Sequence, residues 1–337
     1  MKISYLLIYL GFIIMMCSCS DDKKIVNKEK PSKVRVILDT DANNELDDQH
    51  AIAYMLFSGN EFTVEGITVN RTINGGILEE HYKEAERVVK LCGLNGKIKI
   101  YNGADKSFAE IKNNLGNSNY DGKEAVEFLI GRANKKSDNK LVLLPVGKLT
   151  NIALALYKDP SLAQKVRVVW LGSNYPELGE YNQENDLSAL EYMLDLDLEF
   201  EIVTVRYGAI SGTAEVYSTL EEIREQMRGK GPRISDQVIG RHGDAFSCFG
   251  DYSVDLFENA KMYGDPPHRS LFDMAAVAIV KNPEWAQARE IPAPALQDGI
   301  WIERPNNLNK IIIWENFDKV KIMQDFYNTI ENYILVK

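Results

Sequence analysis

What this chain can fold into is constrained most by the stretch Val34–Ala51. A short β-branched run, Val34-Arg-Val-Ile-Leu38, ends in four aspartates, Asp39, Asp41, Asp47 and Asp48. Such a run reads as a strand buried on both faces of a parallel sheet. Ligand sites in open α/β sheets lie just beyond the carboxyl ends of such strands. Carboxylates crowded there repel one another unless positive charge sits among them. A hard divalent cation with oxygen ligands supplies that charge, so the stretch points to a metal-dependent enzyme. Two simpler readings explain less. An EF-hand loop needs glycine at its sixth position and glutamate at its twelfth; counted from Asp39, these are Asn44 and His50. Helix capping accounts for Asp47 and leaves the other aspartates unexplained.

The rest of the chain repeats the strand-then-helix rhythm. Strands are expected at Phe62–Val69, Lys97–Tyr101, Leu141–Val146, Arg167–Leu171 and Glu199–Val205. Helices are expected at Asp48–Phe57, Ile77–Leu91, Gly122–Ala133, Leu149–Leu156 and Leu187–Leu194. Apolar strands alternating with helical crossovers predict an α/β fold, an open and mostly parallel sheet with helices on both faces. Leu220–Ile279 reads as mainly helical, Arg289–Pro294 and Lys310–Glu315 as edge or hairpin strands, and Val320–Leu335 as a last helix. A net charge of −10 argues against a general nucleic-acid binder.

Residues 1–19 read as a signal segment rather than part of the fold. Lys2 precedes an apolar run that is short for a spanning helix and ends in Cys17-Ser18-Cys19. The pattern is that of an exported bacterial lipoprotein, anchored at Cys19 or alternatively Cys17, facing the periplasm or the outer-membrane surface. The polar, lysine-rich residues 20–32 then serve as a tether to a single domain at 33–337. Cys92 and Cys248 are the only later cysteines, too few for a disulfide framework.

Further segments place polar groups where strands end. Leu141-Val-Leu-Leu-Pro-Val-Gly147-Lys-Leu-Thr150-Asn151 is a strand, a glycine turn and a helix start. Trp170-Leu-Gly-Ser-Asn174 leads through a glycine-punctuated loop to Glu180-Tyr181-Asn182. Arg269-Ser-Leu-Phe272-Asp273 opens an apolar helix. Each alone is ordinary for an α/β protein, since Thr150 and Asp273 read equally well as helix-start residues.

Taken together, Asp39-Thr40-Asp41 with Asp47-Asp48 and these later segments resemble the inosine–uridine-preferring nucleoside hydrolases. The likeness runs from about Val34 to Val280. It implies a Rossmann-like nucleoside hydrolase fold and hydrolysis of the N-glycosidic bond of a nucleoside or related riboside. It also implies one Ca²⁺ per subunit, in preference to Mg²⁺, and a dimer or tetramer. The cation would be held by Asp41, Asp48, the Thr150 carbonyl and Asp273, with Asp39 behind them. Asp41 would take a proton from water. Asp47, Asn174, Glu180 and Asn182 would hold the ribose, with Asn70 or equally Asn74, and Phe272 would face the base. Here the acidic turn at Ala42–Leu46 is slightly longer than in the family. Phe272 stands where the family often has a histidine acting on the leaving base, and the loop after the third strand, Tyr101–Lys106, has none. Among the histidines, His268 is the minority candidate to replace it, whereas His50 and His81 read as surface or packing residues. Tyr252 and Phe257 read as core before base-stacking residues. Two other classes remain: a non-catalytic surface protein that binds nucleosides or sugars, and a Mg²⁺-dependent phosphatase with Asp39 as nucleophile.

Overall fold

The computed structural model describes residues 32–337, so the expected signal segment, its cysteines and nearly all of the tether lie outside the described residues. Lys33–Lys337 form one compact unit. Its centre is an eight-stranded sheet. In chain order the strands are β1 (Val34–Thr40), β2 (Phe62–Val69), β3 (Ile100–Asn102), β4 (Leu141–Pro145), β5 (Val166–Leu171), β6 (Glu199–Val203), β7 (Gln287–Pro292) and β8 (Lys310–Glu315). In space they run β7-β8-β6-β5-β4-β1-β2-β3. Every neighbouring pair is parallel except β7 with β8. The expected final strand pair is therefore present, but only β7 is an edge; β8 lies between it and β6.

Alternation along each strand explains the two-faced burial. Val36 and Leu38 enter one apolar core with Val142 and Leu144, while Ile37 enters the other with Leu141 and Leu143. Helices close both faces. Those that matter for the site are α1 (Asp47–Phe57), α2 (Leu78–Leu91), α3 (Thr150–Lys158), α4 (Tyr181–Asn185), α5 (Phe249–Glu258) and α6 (Phe272–Lys281). The span Leu220–Ile279 is less helical than its composition suggests. Its helices are separated by two short strand pairs, Val238–Ile239 with Ala245–Phe246 and Tyr217–Thr219 with His268–Ser270.

Strand order decides where a ligand goes. From β1 the chain steps outward to β2 and β3, then returns to the other side of β1 with β4. Chain direction thus diverges between β1 and β4, which opens a crevice at their carboxyl ends. Asp39-Thr40-Asp41 leaves β1 there, and Pro145-Val146-Gly147 leaves β4 beside it, with Asp39 in register with Pro145.

Candidate active site

A cavity of about 730 Å³ opens over that crevice, lined by Asp41, Asp47, Asp48, Val146, Glu180, Asn182, Tyr207, Phe272 and Asp273 among others. Carboxylate oxygens of Asp47, Asp48 and Asp273 all lie within 4.8 Å of one another, and Asp41 lines the cavity with them. Asp47 and Asp48 start α1, and Asp273 sits in the first turn of α6, so both helices aim their positive ends at the cluster.

Three of the four carboxylates accept hydrogen bonds that aim them. Thr40 donates to Asp48, and Thr72 donates to Asp41. The main-chain N–H of Asp273 donates to Asp47. His81 places Nδ1 2.8 Å from the Asp41 carbonyl and is buried. It packs against the acidic turn, so it belongs to the site's support and not to the surface. Gly147 is required by close approach: a Cβ there would meet Asp41 Oδ1 at 2.7 Å and the Asn70 amide at 3.0 Å.

Burial pushes the Asp41 carboxyl up to about 7, with Asp39 and Glu180 adding repulsion. Asp47 rises to about 7 for the same first reason, with Asp41 adding to it. Asp48 and Asp273 are driven well above the carboxylate range by burial and then by their acidic neighbours. Among the described residues, none of these four aspartates has an ion-pair partner. Buried charge of one sign, offered through oxygen donors alone, fits a hard divalent cation.

Asp39 lies behind this group. Its oxygens accept from Thr68 at 2.5 Å, Asn151 at 2.7 Å and Asn70 at 2.8 Å, and burial raises it to about 6. It does not line the cavity, which removes it as a phosphatase nucleophile. Neither Asn70 nor Asn74 lines the cavity, but Asn70 is tied to the aspartate group through its bond to Asp39. The Asn70 Oδ1 is buried with no donor, as expected where a ligand hydroxyl would donate. Asn74 is exposed on a loop and donates its N–H to Tyr181 Oη.

Four expected site residues are not on the cavity wall: Asp39 and Asn70, described above, and Thr150 and Asn174. Thr150 starts α3, and its hydroxyl donates to Asp186 at 2.5 Å. Val146, at the end of β4, lines the cavity instead, and its carbonyl accepts from Asn182 Nδ2 at 2.8 Å. Asn174 donates to the Leu178 carbonyl and accepts from Tyr207 N, so it braces the loop behind the wall. Glu180 and Asn182 do line the cavity. The Glu180 carboxylate caps α4, accepting from Ser173, Asn182 and Gln183 main-chain N–H groups at 2.7, 3.0 and 2.9 Å.

The other half of the cavity is aromatic. Phe272 meets Tyr207 edge-to-face at 5.8 Å. His268 stacks on Tyr217 at 3.9 Å, and its Nδ1 donates to the Pro266 carbonyl at 2.8 Å. In the neutral ring this leaves Nε2 an acceptor, so His268 does not stand in for the missing acid in that form. His50 is held in the core by Leu46 and Ser253, with burial lowering it to about 4. Tyr252 and Phe257 are core residues, and the Tyr252 hydroxyl donates to Glu84 at 2.5 Å. Tyr181, Tyr207 and Val146 were invisible to motif reading, because loop geometry and a main-chain carbonyl leave no side-chain signature.

Residues 36–326 match the family model described as inosine-uridine preferring nucleoside hydrolase. A probable uridine nucleosidase from Oryza sativa subsp. japonica is 28% identical over 60% of this chain and 64% of its own length. The inosine-uridine preferring nucleoside hydrolase of Crithidia fasciculata is 27% identical over 49% of this chain and 54% of its own. The chain thus spans less than two thirds of these curated relatives. A solved purine-preferring ribonucleoside hydrolase from Gardnerella vaginalis superposes with a TM-score of 0.68 at 21% identity, covering 88% of this chain and 98% of that one.

Proposed function

Since the chain belongs to the inosine-uridine preferring nucleoside hydrolase family, we propose that it hydrolyses the N-glycosidic bond of a nucleoside or related riboside, releasing base and ribose. The observation that carries this reading is the convergence of Asp273 with Asp47 and Asp48 on one cavity, across most of the sequence. A phosphatase would not need it.

The ion in this reading is Ca²⁺, held by Asp41, Asp48 and Asp273 with the Val146 carbonyl in the place expected of Thr150; Asp47 stands close enough to share it. Bound there, a divalent cation supplies a water of lowered pKa and a template for sugar hydroxyls. Asp41 accepts the proton of the attacking water. Asn182 and Asp47 orient the ribose from the cavity wall, Asn70 accepts from a hydroxyl, and Glu180 holds the loop while presenting negative charge. That charge favours the oxocarbenium-like state as the base departs. Phe272 and Tyr207 offer the base an aromatic wall but no ready acid. General acid assistance is worth roughly 10²- to 10⁴-fold, so slow turnover or a good leaving group is expected. Export with a lipid anchor at Cys19 and assembly into dimers or tetramers complete the proposal.

A panel of purine, pyrimidine and pyridine ribosides assayed for free ribose, with and without chelator, tests it. Release abolished by chelator and restored by Ca²⁺ is expected. Tight binding without ribose release from any member would support the non-catalytic binding protein instead, a reading that Phe272 alone favours.

A further inference from the structure

A second chamber of about 220 Å³ adjoins the cavity beside Asn44–Leu46, the turn that precedes α1. Asn44, Glu45, Tyr263 and Arg269 line both spaces, and the ion pair of Arg269 with Glu45 forms part of the wall between them. The chamber opens on the aromatic half, where the leaving group would lie, and not on the Glu180–Asn182 side. Its charge is opposite to that of the neighbouring cluster. Arg241, Lys261 and Arg269 line it, and Glu45 is the one carboxylate among its lining residues. Arg241 is spent on main-chain carbonyls, donating to those of Glu45 and Asn43, and has no carboxylate partner among the described residues. Lys261 has none either; its ammonium sits 5.1 Å from the centre of the Tyr263 ring. The Arg269 side chain is only 10% exposed, yet its Nε has no acceptor. A buried guanidinium N–H without a partner marks a place where an acceptor belongs.

We propose that this chamber takes an acidic substituent of the leaving group, so that the site prefers ribosides whose heteroaromatic base carries a carboxylate. The inference rests on the hydrolase reading above and names the substrate class for it. A carboxylate reaching the chamber accepts from Arg269 Nε and lies within the field of Lys261 and Arg241. The aromatic wall of Tyr207 and Phe272 holds the ring to which it is attached. Such a group supplies the recognition that Phe272, without a polar atom, does not.

Nicotinic acid riboside and nicotinamide riboside differ only in carboxylate against carboxamide, and in both the pyridinium ring nitrogen takes back the bonding pair and leaves uncharged, needing no proton. Comparing them therefore isolates the chamber from leaving-group protonation. For the parent, kcat/KM for the acid should exceed that for the amide by about tenfold or more, the size of one charge-assisted hydrogen bond. Lys261→Glu should erase the preference by lowering kcat/KM for the acid to that for the amide, while Lys261→Arg keeps it. Calorimetric titration with the free bases gives a readout apart from catalysis: nicotinate should bind the parent about tenfold tighter than nicotinamide, and Lys261→Glu should remove the gap. Equal rates on both ribosides, or a preference that survives Lys261→Glu, overturns the chamber's role and leaves the hydrolase reading intact if other ribosides are cleaved. If no riboside is cleaved, the hydrolase reading fails, and the calorimetric comparison alone decides whether the chamber binds carboxylates.

Discussion

The two halves of the cavity are built on different principles. The carboxylate half stands on strand ends and helix starts. Asp41 leaves β1, Val146 leaves β4, and Asp48 and Asp273 open α1 and α6, all buried, with Thr72 donating to Asp41 and Thr40 to Asp48. The aromatic half hangs on loops. Tyr207 is 51% exposed and Tyr263 50% exposed, and His268 sits at the rim on a three-residue strand. Rigid elements fix a constellation more narrowly than loops do. The half that would break the bond is thus held by the fold itself, while the half that would choose the base is free to vary. The exchange of a family histidine for Phe272 falls in the second half.

The largest effect that would break this contrast comes from the carboxylate half. Asp41→Asn should lower kcat for ribose release by at least about 10³-fold, with the fold retained in a thermal melt. Parental turnover by this variant would mean that the chemistry lies elsewhere. Gly147→Ala is subtler, adding one methyl group against the Asp41 carboxylate. Displacement of that group should cost about 10²-fold in kcat and on the order of 1–3 kcal/mol of stability, as overpacking does. In the aromatic half the sign reverses. Phe272→His should raise kcat on purine and pyrimidine ribosides by about tenfold or more, by restoring a proton donor. It should leave pyridine ribosides, which need no donor, nearly unchanged. An equal change on both would show that Phe272 acts by shape alone.

Proton linkage separates the halves by stability. Asp39, Asp41 and Asp47 have folded values near 6, 7 and 7, above the unfolded value of 3.8. Groups raised in the folded state bind more protons there, so their contribution is full below the unfolded value and is lost as pH rises through the folded values. Chelator-treated protein should therefore melt at a lower temperature at pH 8 than at pH 5. Added Ca²⁺ should raise the melting temperature more at pH 8, where protons no longer compete for the carboxylates. The smallest expected change is at Thr150. Thr150→Val removes the bond to Asp186 while keeping the main-chain carbonyl, and should cost about 1 kcal/mol of stability with little loss of activity; a parental melting temperature would show that this bond contributes nothing to the fold.

The same contrast explains what was legible in the sequence. The sheet could be read because β1, β4 and β5 are mostly apolar runs of strand length separated by segments long enough for helical crossovers. The aspartate cluster could be read because four carboxylates after one strand have few uses. Asp273 needed the family likeness to be linked with residues so distant. The family likeness points to the Thr150 carbonyl, whereas Val146 is the residue that lines the cavity; residue types do not distinguish one main-chain carbonyl from another. Asn174 and Glu180 were read as sugar contacts, but both first satisfy their own loop, and only Glu180 also faces the cavity. Tyr207 and the basic chamber depend on how loops far apart in sequence meet, which no local pattern records. Of the two readings open for His81, surface or packing, burial against the Asp41 carbonyl selects packing; the many charges on its helix left the surface reading open.

The account depends on carboxylates from opposite ends of the sequence sharing one cation. Calorimetric titration of chelator-treated protein with Ca²⁺ tests this most directly, on the parent and on Asp273→Asn side by side. One Ca²⁺ per chain is predicted for the parent, with affinity lost in the variant and ribose release lost in parallel. Undiminished Ca²⁺ binding by Asp273→Asn, or full ribose release by protein that binds no divalent cation, would contradict it.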